Sequence, residues 1–394
     1  MKSLSKLTLL FCSVYLCLQS CTSPKREENK DALTETESIA ERKIWSTEQA
    51  NEWYAHQEWL VGSNFIPSNA INQLEMWQAA TFDTATINRE LGLAESIGMN
   101  TARVYLHDLP WQQDSAGFLN RIDTFLGIAQ RHGIKPLLVI FDSCWDPFPK
   151  PGTQRAPKPH VHNSGWVQSP GANALKDSTQ YPRLERYVKG VVSRFANDNR
   201  VLGWDVWNEP DNDTGPSYKA VDLPNKVDYV LPLLKKTFTW VRAANPSQPL
   251  TSAIWVGDWS KHEAMKPIEK VQVEQSDIIS FHNYDKPQDL EQRIKWLQRY
   301  GRPIVCTEYM ARPNGSTFQA FLPVGKKYKV GMYNWGLVDG KTQTKYAWDS
   351  WVKQYTKEPE LWFHDIFRKN GTPYKPAEVA FISELTGVAE LVEQ

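Results

Sequence analysis

Eight short apolar, β-prone runs recur along this chain with amphipathic segments between most of them, and that alternation narrows the fold more than any other feature. The runs are Trp59–Phe65, Thr101–Leu106, Lys135–Phe141, Val201–Trp207, Leu250–Trp255, Asp277–His282, Pro303–Glu308 and Lys329–Trp335. Between them, Thr84–Ile97, Phe118–His132, Gln180–Asn197, Val227–Ala244 and Asp289–Tyr300 carry apolar residues at helical spacing. Gly133, Gly301 and the Asn245-Pro246 pair stop three of these segments where the chain must turn into the next strand. Alternating strands and helices predict a parallel sheet, and eight strands are the number that closes an α/β (β/α)8 barrel. An open, doubly wound sheet is the competing architecture. It calls for a glycine-rich phosphate turn after the first strand, which Gly62-Ser63-Asn64-Phe65-Ile66-Pro67 does not supply. With no internal repeat and no composition break after Trp45, residues 45–394 read as one domain.

The strand ends carry the chemistry. Trp207-Asn208-Glu209-Pro210 closes the fourth run and Cys306-Thr307-Glu308-Tyr309 the seventh, so both glutamates are expected at C-terminal strand tips. That rim is where such a barrel keeps its reactive groups. Two carboxylates facing each other across a cleft suit cleavage of a glycosidic bond, one protonating the leaving oxygen and the other attacking or stabilising the anomeric carbon. The remaining strand ends are polar or large: Arg103 on the second, His282 and Tyr284 at the sixth, Trp335 on the eighth.

Composition agrees with a neutral, ring-shaped substrate. Acidic and basic side chains number 45 each and no long basic block occurs, which disfavours nucleic-acid and anionic-membrane partners. Seventeen tryptophans offer flat faces for the C–H surfaces of sugars, although several must fill core.

Residues 1–21 read as a lipoprotein signal peptide. Lys2 and Lys6 precede the apolar run Leu7–Leu18, which is too short to span a bilayer. Leu18-Gln19-Ser20-Cys21 resembles a bacterial lipobox, with Cys21 as the lipidated residue. Residues 22–44 are mostly polar and predict a flexible tether. The expectation is an exported lipoprotein of a Gram-negative bacterium, in the periplasm or on the outer membrane, touching the membrane through its lipid alone. Lys25-Arg26-Glu27-Glu28 weakly resembles signals that send such proteins to the cell surface. Cys144 and Cys306 are then the thiols left to the domain, read as buried and free. The sequence sets no oligomeric state.

The strand count, with Asn208-Glu209-Pro210 on the fourth strand and Glu308 on the seventh, resembles the clan A retaining glycoside hydrolases, which include the family 5 cellulases and mannanases. The resemblance implies Glu209 as acid/base and Glu308 as nucleophile. It implies Asn208 at the sugar's 2-hydroxyl, Arg103 and Tyr284 orienting Glu308, His282 supporting Glu209, and Trp335 flooring the subsite at the cleaved bond. A nearby carboxylate is expected to keep Glu209 protonated, while Arg103 and the Tyr284 hydroxyl hold Glu308 ionised. Family 5 members usually place a histidine near the end of strand three, where this chain reads Phe141-Asp142-Ser143-Cys144-Trp145-Asp146. A neighbouring family of the clan is therefore an equal reading, with Asp142 and Trp145 taking over sugar contacts. Asn64, Asn69 and Trp77 after the first strand are further binding candidates.

Two long loops, Cys144–Ser178 and Leu337–Asn370, follow strands three and eight and are expected to wall the cleft with aromatics that include Trp166, Trp348, Trp351 and Trp362. Arg312, Asp258, Trp259 and His262 are expected to help choose the sugar. A non-catalytic surface glycan-binding lipoprotein is one alternative. A metal-dependent hydrolase is another, resting on His160-Val161-His162, but that pair lies in a proline-rich loop with no further ligand cluster beside it, so neither metal nor cofactor is expected.

Overall fold

The computed structural model describes residues 42–388; the signal-peptide segment, Cys21 and most of the tether lie outside the described residues. Eight strands are present: β1 Val61–Phe65, β2 Thr101–Tyr105, β3 Lys135–Asp142, β4 Gly203–Asn208, β5 Leu250–Thr251, β6 Ile279–His282, β7 Ile304–Tyr309 and β8 Gly331–Trp335. They form one parallel sheet in the order β5-β4-β3-β2-β1-β8-β7-β6. The remaining seam, between β5 and β6, closes through the parallel bridge Ile254↔Phe281 and the 2.6 Å contact of Thr251 Oγ1 with Ser280 Oγ. This is a (β/α)8 barrel.

A helix follows each strand: α1 Thr84–Glu95, α2 Ser115–Arg131, α3 Tyr181–Phe195, α4 Lys226–Ala243, α5 Pro267–Glu274, α6 Pro287–Leu297, α7 Phe318–Tyr328 and α8 Pro376–Thr386. Asp83 and Asp114 begin α1 and α2 by accepting hydrogen bonds from first-turn N–H groups. In α3 the buried face is Leu184, Tyr187, Val188, Val191, Val192 and Phe195, a helical spacing that turns one stripe onto the sheet. Gly133 and Gly301 take positive φ just past α2 and α6, as stop signals should. α5, α7 and α8 are additions to the segments expected from periodicity. Both short length and an internal Pro323 in α7 blur the pattern there.

β5 is shorter than the expected run to Trp255, because side chains take over its ladder: Ser252 Oγ donates to Trp207 O at 2.8 Å and Gln272 Nε2 to Ala253 O at 2.5 Å. The barrel interior is layered. Leu60, Leu137, Leu202, Ile278, Val305 and Tyr333 plug the bottom, and Tyr105, Val139, Cys144, Trp166 and Trp335 cluster near the top. Between them sits the buried Arg103–Asp205 ion pair. Arg42, at the end of the segment read as tether, donates to Asp277 Oδ2 at 2.6 Å. Both cysteines of the domain are buried and free. Among the described residues no helix is long and apolar enough to cross a membrane.

Candidate active site

Glu209 stands one residue beyond β4, with φ of 41°, in the left-handed region that a side chain normally avoids. The turn it starts brings Asn212 back, with its N–H on Glu209 O at 2.9 Å and its Nδ2 on Glu209 Oε2 at 2.6 Å. Glu308 is the penultimate residue of β7, beside His282 in the register. One side-chain atom each of Glu209, His282 and Glu308 lies within 4.8 Å of the others, so the two carboxylates meet at one mouth of the barrel. They line an open cleft with Asn208, Tyr284, Trp335, Trp145, Trp255, Trp348 and Trp351.

Around Glu308 the donors are dense. Arg103 Nη1 donates to Oε1 at 2.8 Å, the Tyr105 hydroxyl to the same oxygen at 3.0 Å, and the Tyr284 hydroxyl to Oε2 at 2.8 Å. Arg103 is also held at Nε by Asp205 Oδ2 (2.9 Å) and at Nη2 by Asn208 Oδ1 (2.7 Å), which leaves its planar fork one orientation. It is therefore at once the salt-bridged plug of the barrel and the residue that orients Glu308. Because Arg103 takes Oδ1 of Asn208, the amide's Nδ2 faces Asp142 Oδ1 (2.9 Å) and Cys144 Sγ (3.4 Å), which fixes the amide's orientation.

Glu209 meets weaker partners: His282 Nδ1 at 2.8 Å on Oε1, and Asn212 Nδ2 and the Cys144 thiol (3.2 Å) on Oε2. Burial pushes the Glu209 carboxyl up to about 7, against the pull of the Asn212 and Cys144 hydrogen bonds, and nearby Asp211 adds to the rise. The second carboxylate was expected to be the main cause; burial is. Burial and the neighbouring Glu209 also raise Glu308, and Arg103 with the Tyr284 hydrogen bond opposes the rise without cancelling it, short of the expectation that they hold it ionised. Burial lowers His282 to about 4, so its imidazole is neutral near pH 7. The site thus pairs a carboxyl that keeps a proton near neutrality with one braced by a guanidinium and two phenols.

The structure brings Glu209, Glu308, Asn208, Arg103, His282, Tyr284, Trp335 and Trp145 together, and corrects several other expectations. Asp142 does not face the cleft: it is buried behind Asn208, accepting from Asn208, from Trp166 Nε1 (2.6 Å) and from the Cys144 N–H. Asn64 is likewise internal, donating to Thr307 O and accepting from Arg103, because β1 turns it into the barrel. Asn69 is tied to the helix-capping Asp83, and Trp77 is core. Arg312 is buried on Glu378 under the loop after β8, Trp259 is buried, and His262 pairs with Glu274. Asp258, in the same loop as Trp259 and His262, does not line the cleft. Trp362 stacks on Tyr374 and Trp166 packs on Tyr105, so only Trp348 and Trp351 of the four named loop aromatics line the cleft. His160 and His162 each spend Nδ1 on a backbone carbonyl, of Tyr355 and Tyr346, and form no cluster of three metal-ligating residues among the described residues. Sequence reading missed Tyr105, Asp205, Cys144 and Asn212. The inward phase of β2 and β4, shared with Arg103, could have found the first two.

Fold and site together define a barrel with a two-carboxylate cleft. The family model described as Cellulase (glycosyl hydrolase family 5) matches residues 67–357, and the chain belongs to that family. The absent strand-three histidine is thus a departure within family 5. Over 211 residues the chain is 24% identical to mannan endo-1,4-beta-mannosidase A of Hypocrea jecorina, covering 51% of this chain and 46% of that protein. Over 92 residues it is 34% identical to probable mannan endo-1,4-beta-mannosidase A-1 of Aspergillus terreus, covering 23% and 21%. The match thus spans less than half the length of either relative. The crystal structure of GH5_18 from Streptomyces cattleya in complex with GlcNAc shares the fold, with a TM-score of 0.57 at 13% identity over 83% of this chain and 79% of that one.

Proposed function

We propose that the protein is a retaining glycoside hydrolase that cleaves β-glycosidic bonds of poly- or oligosaccharides by double displacement. The observation that carries this reading is the approach of Glu209 and Glu308 to within 4.8 Å at the barrel mouth. Retaining enzymes hold their carboxyl groups about 5 Å apart, whereas inverting ones leave about 6.5–9.5 Å for a water. Glu308 attacks the anomeric carbon as Glu209 gives its proton to the departing oxygen, forming a glycosyl ester on Glu308. Ester formation removes the negative charge of Glu308, and departure of the leaving group readmits water. Both changes favour the ionised form in which Glu209 is left after giving up its proton, and that carboxylate then takes a proton from the water that cleaves the ester.

The names of the relatives from Hypocrea and Aspergillus make manno-configured β-1,4 glycosides the first substrates to try. A screen of β-mannan, β-glucan, xylan and aryl β-glycosides tests the reading. Hydrolysis with retained anomeric configuration, lost in Glu209→Ala and Glu308→Ala while both stay folded, is the expected result. Glycan binding without turnover, unchanged in Glu308→Gln, would instead make the protein a binder. Export and lipid attachment at Cys21 complete the proposal and rest on the N-terminal sequence. Labelling with radioactive palmitate in a Gram-negative host, lost in Cys21→Ser, is the result that would support them.

A further inference from the structure

Joined loops wall one side of the barrel mouth. The loop after β3 is sewn to the loop after β8: the Asn163 N–H donates to Thr342 O (2.8 Å), the His162 N–H to Ser350 Oγ (3.0 Å), Trp351 Nε1 to His162 O (2.9 Å) and Gln343 Nε2 to Lys158 O (2.7 Å). The turn after β1 is bound into the same wall, with Asn72 Nδ2 on Gly165 O (2.8 Å) and the Lys341 N–H on Ser68 O (2.9 Å). Since β3, β2, β1 and β8 are successive neighbours in the sheet, this seam walls the mouth along half the barrel. Aromatic contacts extend it at both ends. Trp351 stacks on Trp145 (centroids 5.7 Å) and meets Tyr218 of the β4 loop edge-on (5.2 Å), while Trp348 meets Tyr284 after β6 edge-on (5.0 Å). The cleft's other border is formed by residues 212–217 after β4 and by Trp255 after β5.

Direction follows from chemistry. Glu209 must protonate the departing oxygen, so the leaving portion lies toward β4 and β5, beyond the four strands that the seam covers. The sugar attacked by Glu308 rests at Trp335 on β8, against the wall. Asn163 and His364, at that closed end, are buried within the seam, so the wall is packed solid behind the cleft.

We propose that the cleft admits one sugar unit on the side of the nucleophile, so that the protein removes single units from the non-reducing ends of β-linked oligosaccharides, with the seam between the loops after β3 and β8 blocking a second unit. This deepens the two-glutamate reading and rests on it. It also separates this chain in mode of action from the endo-acting relatives it matches.

The test uses the full chain with a pentasaccharide of the best substrate in the screen, labelled at its reducing end, and follows early products by mass. The expected pattern is a free monosaccharide and a labelled tetrasaccharide, then a labelled trisaccharide. Labelled di- or trisaccharide in the first products, before the tetrasaccharide accumulates, would overturn the single-unit cleft and leave the hydrolase reading intact. Absence of hydrolysis on every substrate, aryl glycosides included, would overturn both.

Discussion

Cys144 Sγ lies 3.2 Å from Glu209 Oε2, so a thiol donates into the carboxyl that burial raises. Burial, with the charges of Asp142 and Glu209, raises the thiol well above its ordinary range, and it stays a neutral S–H donor. Its hydrogen bond favours the ionised form of Glu209 and holds that carboxyl lower than burial alone would. Cys144 lies within the stretch where family 5 members usually carry a histidine, and its hydrogen bond works against the burial that raises Glu209.

The alkaline limb of the kcat/KM profile therefore reports Glu209. In the wild type it is expected near pH 7, where Glu209 loses its proton. Cys144→Ala removes a donor to the carboxylate and is expected to move that limb to higher pH. Cys144→Ser supplies a stronger donor and is expected to move it lower. Identical limbs in all three proteins would show that the thiol does not tune the acid.

Glu209 also sets a stability trend. Its carboxyl is raised in the folded state, from an ordinary value of 4.5 to about 7, so the folded protein binds the proton more tightly than the unfolded chain does. Stability is then greatest below the unfolded value and falls as pH rises through the folded one. Glu209→Gln removes this titration. The variant is expected to be more stable than wild type at pH 8 by about 3 kcal/mol, from a rise of roughly 2.5 units at 1.36 kcal/mol each, with the gain shrinking toward pH 4.5. Urea titrations at the two pH values measure the difference.

Arg103 couples fold and site. Arg103→Met strands Asp205 and Glu308 as buried carboxylates and is expected to cost about 3–5 kcal/mol, the scale of breaking a buried ion pair from one side. Adding Asp205→Leu should recover part of that stability. Activity should not return, because Glu308 and Asn208 have still lost the guanidinium that fixes them. Thermal unfolding and turnover of both variants check the split.

Arg312 anchors the loop after β8 from beneath. Its guanidinium pairs with Glu378 at 2.6 Å and donates to the carbonyls of Trp362, His364 and Asp365. Arg312→Met is expected to cost about 3–5 kcal/mol and to loosen the wall that carries Trp348 and His364. KM should rise more than kcat falls, and limited proteolysis should cut first between Leu337 and Asn370.

Much of this was legible along the chain. Strand and helix periodicity gave eight parallel strands, because a barrel strand buried on both faces reads as a short apolar run and each covering helix shows its stripe. The strand-tip positions of Glu209, His282, Glu308 and Trp335 followed from that register alone. Packing between elements distant in sequence decided the rest. Asp142 and Asn64 are polar residues beside a rim, and the residues around them fix whether each faces sugar or backs another side chain. The burial that raises Glu209, the five-donor fork that braces Glu308 and the seam closing half the mouth are likewise sums over loops far apart in the chain. Periodicity is a local property of sequence, whereas desolvation and enclosure exist only once those loops have met.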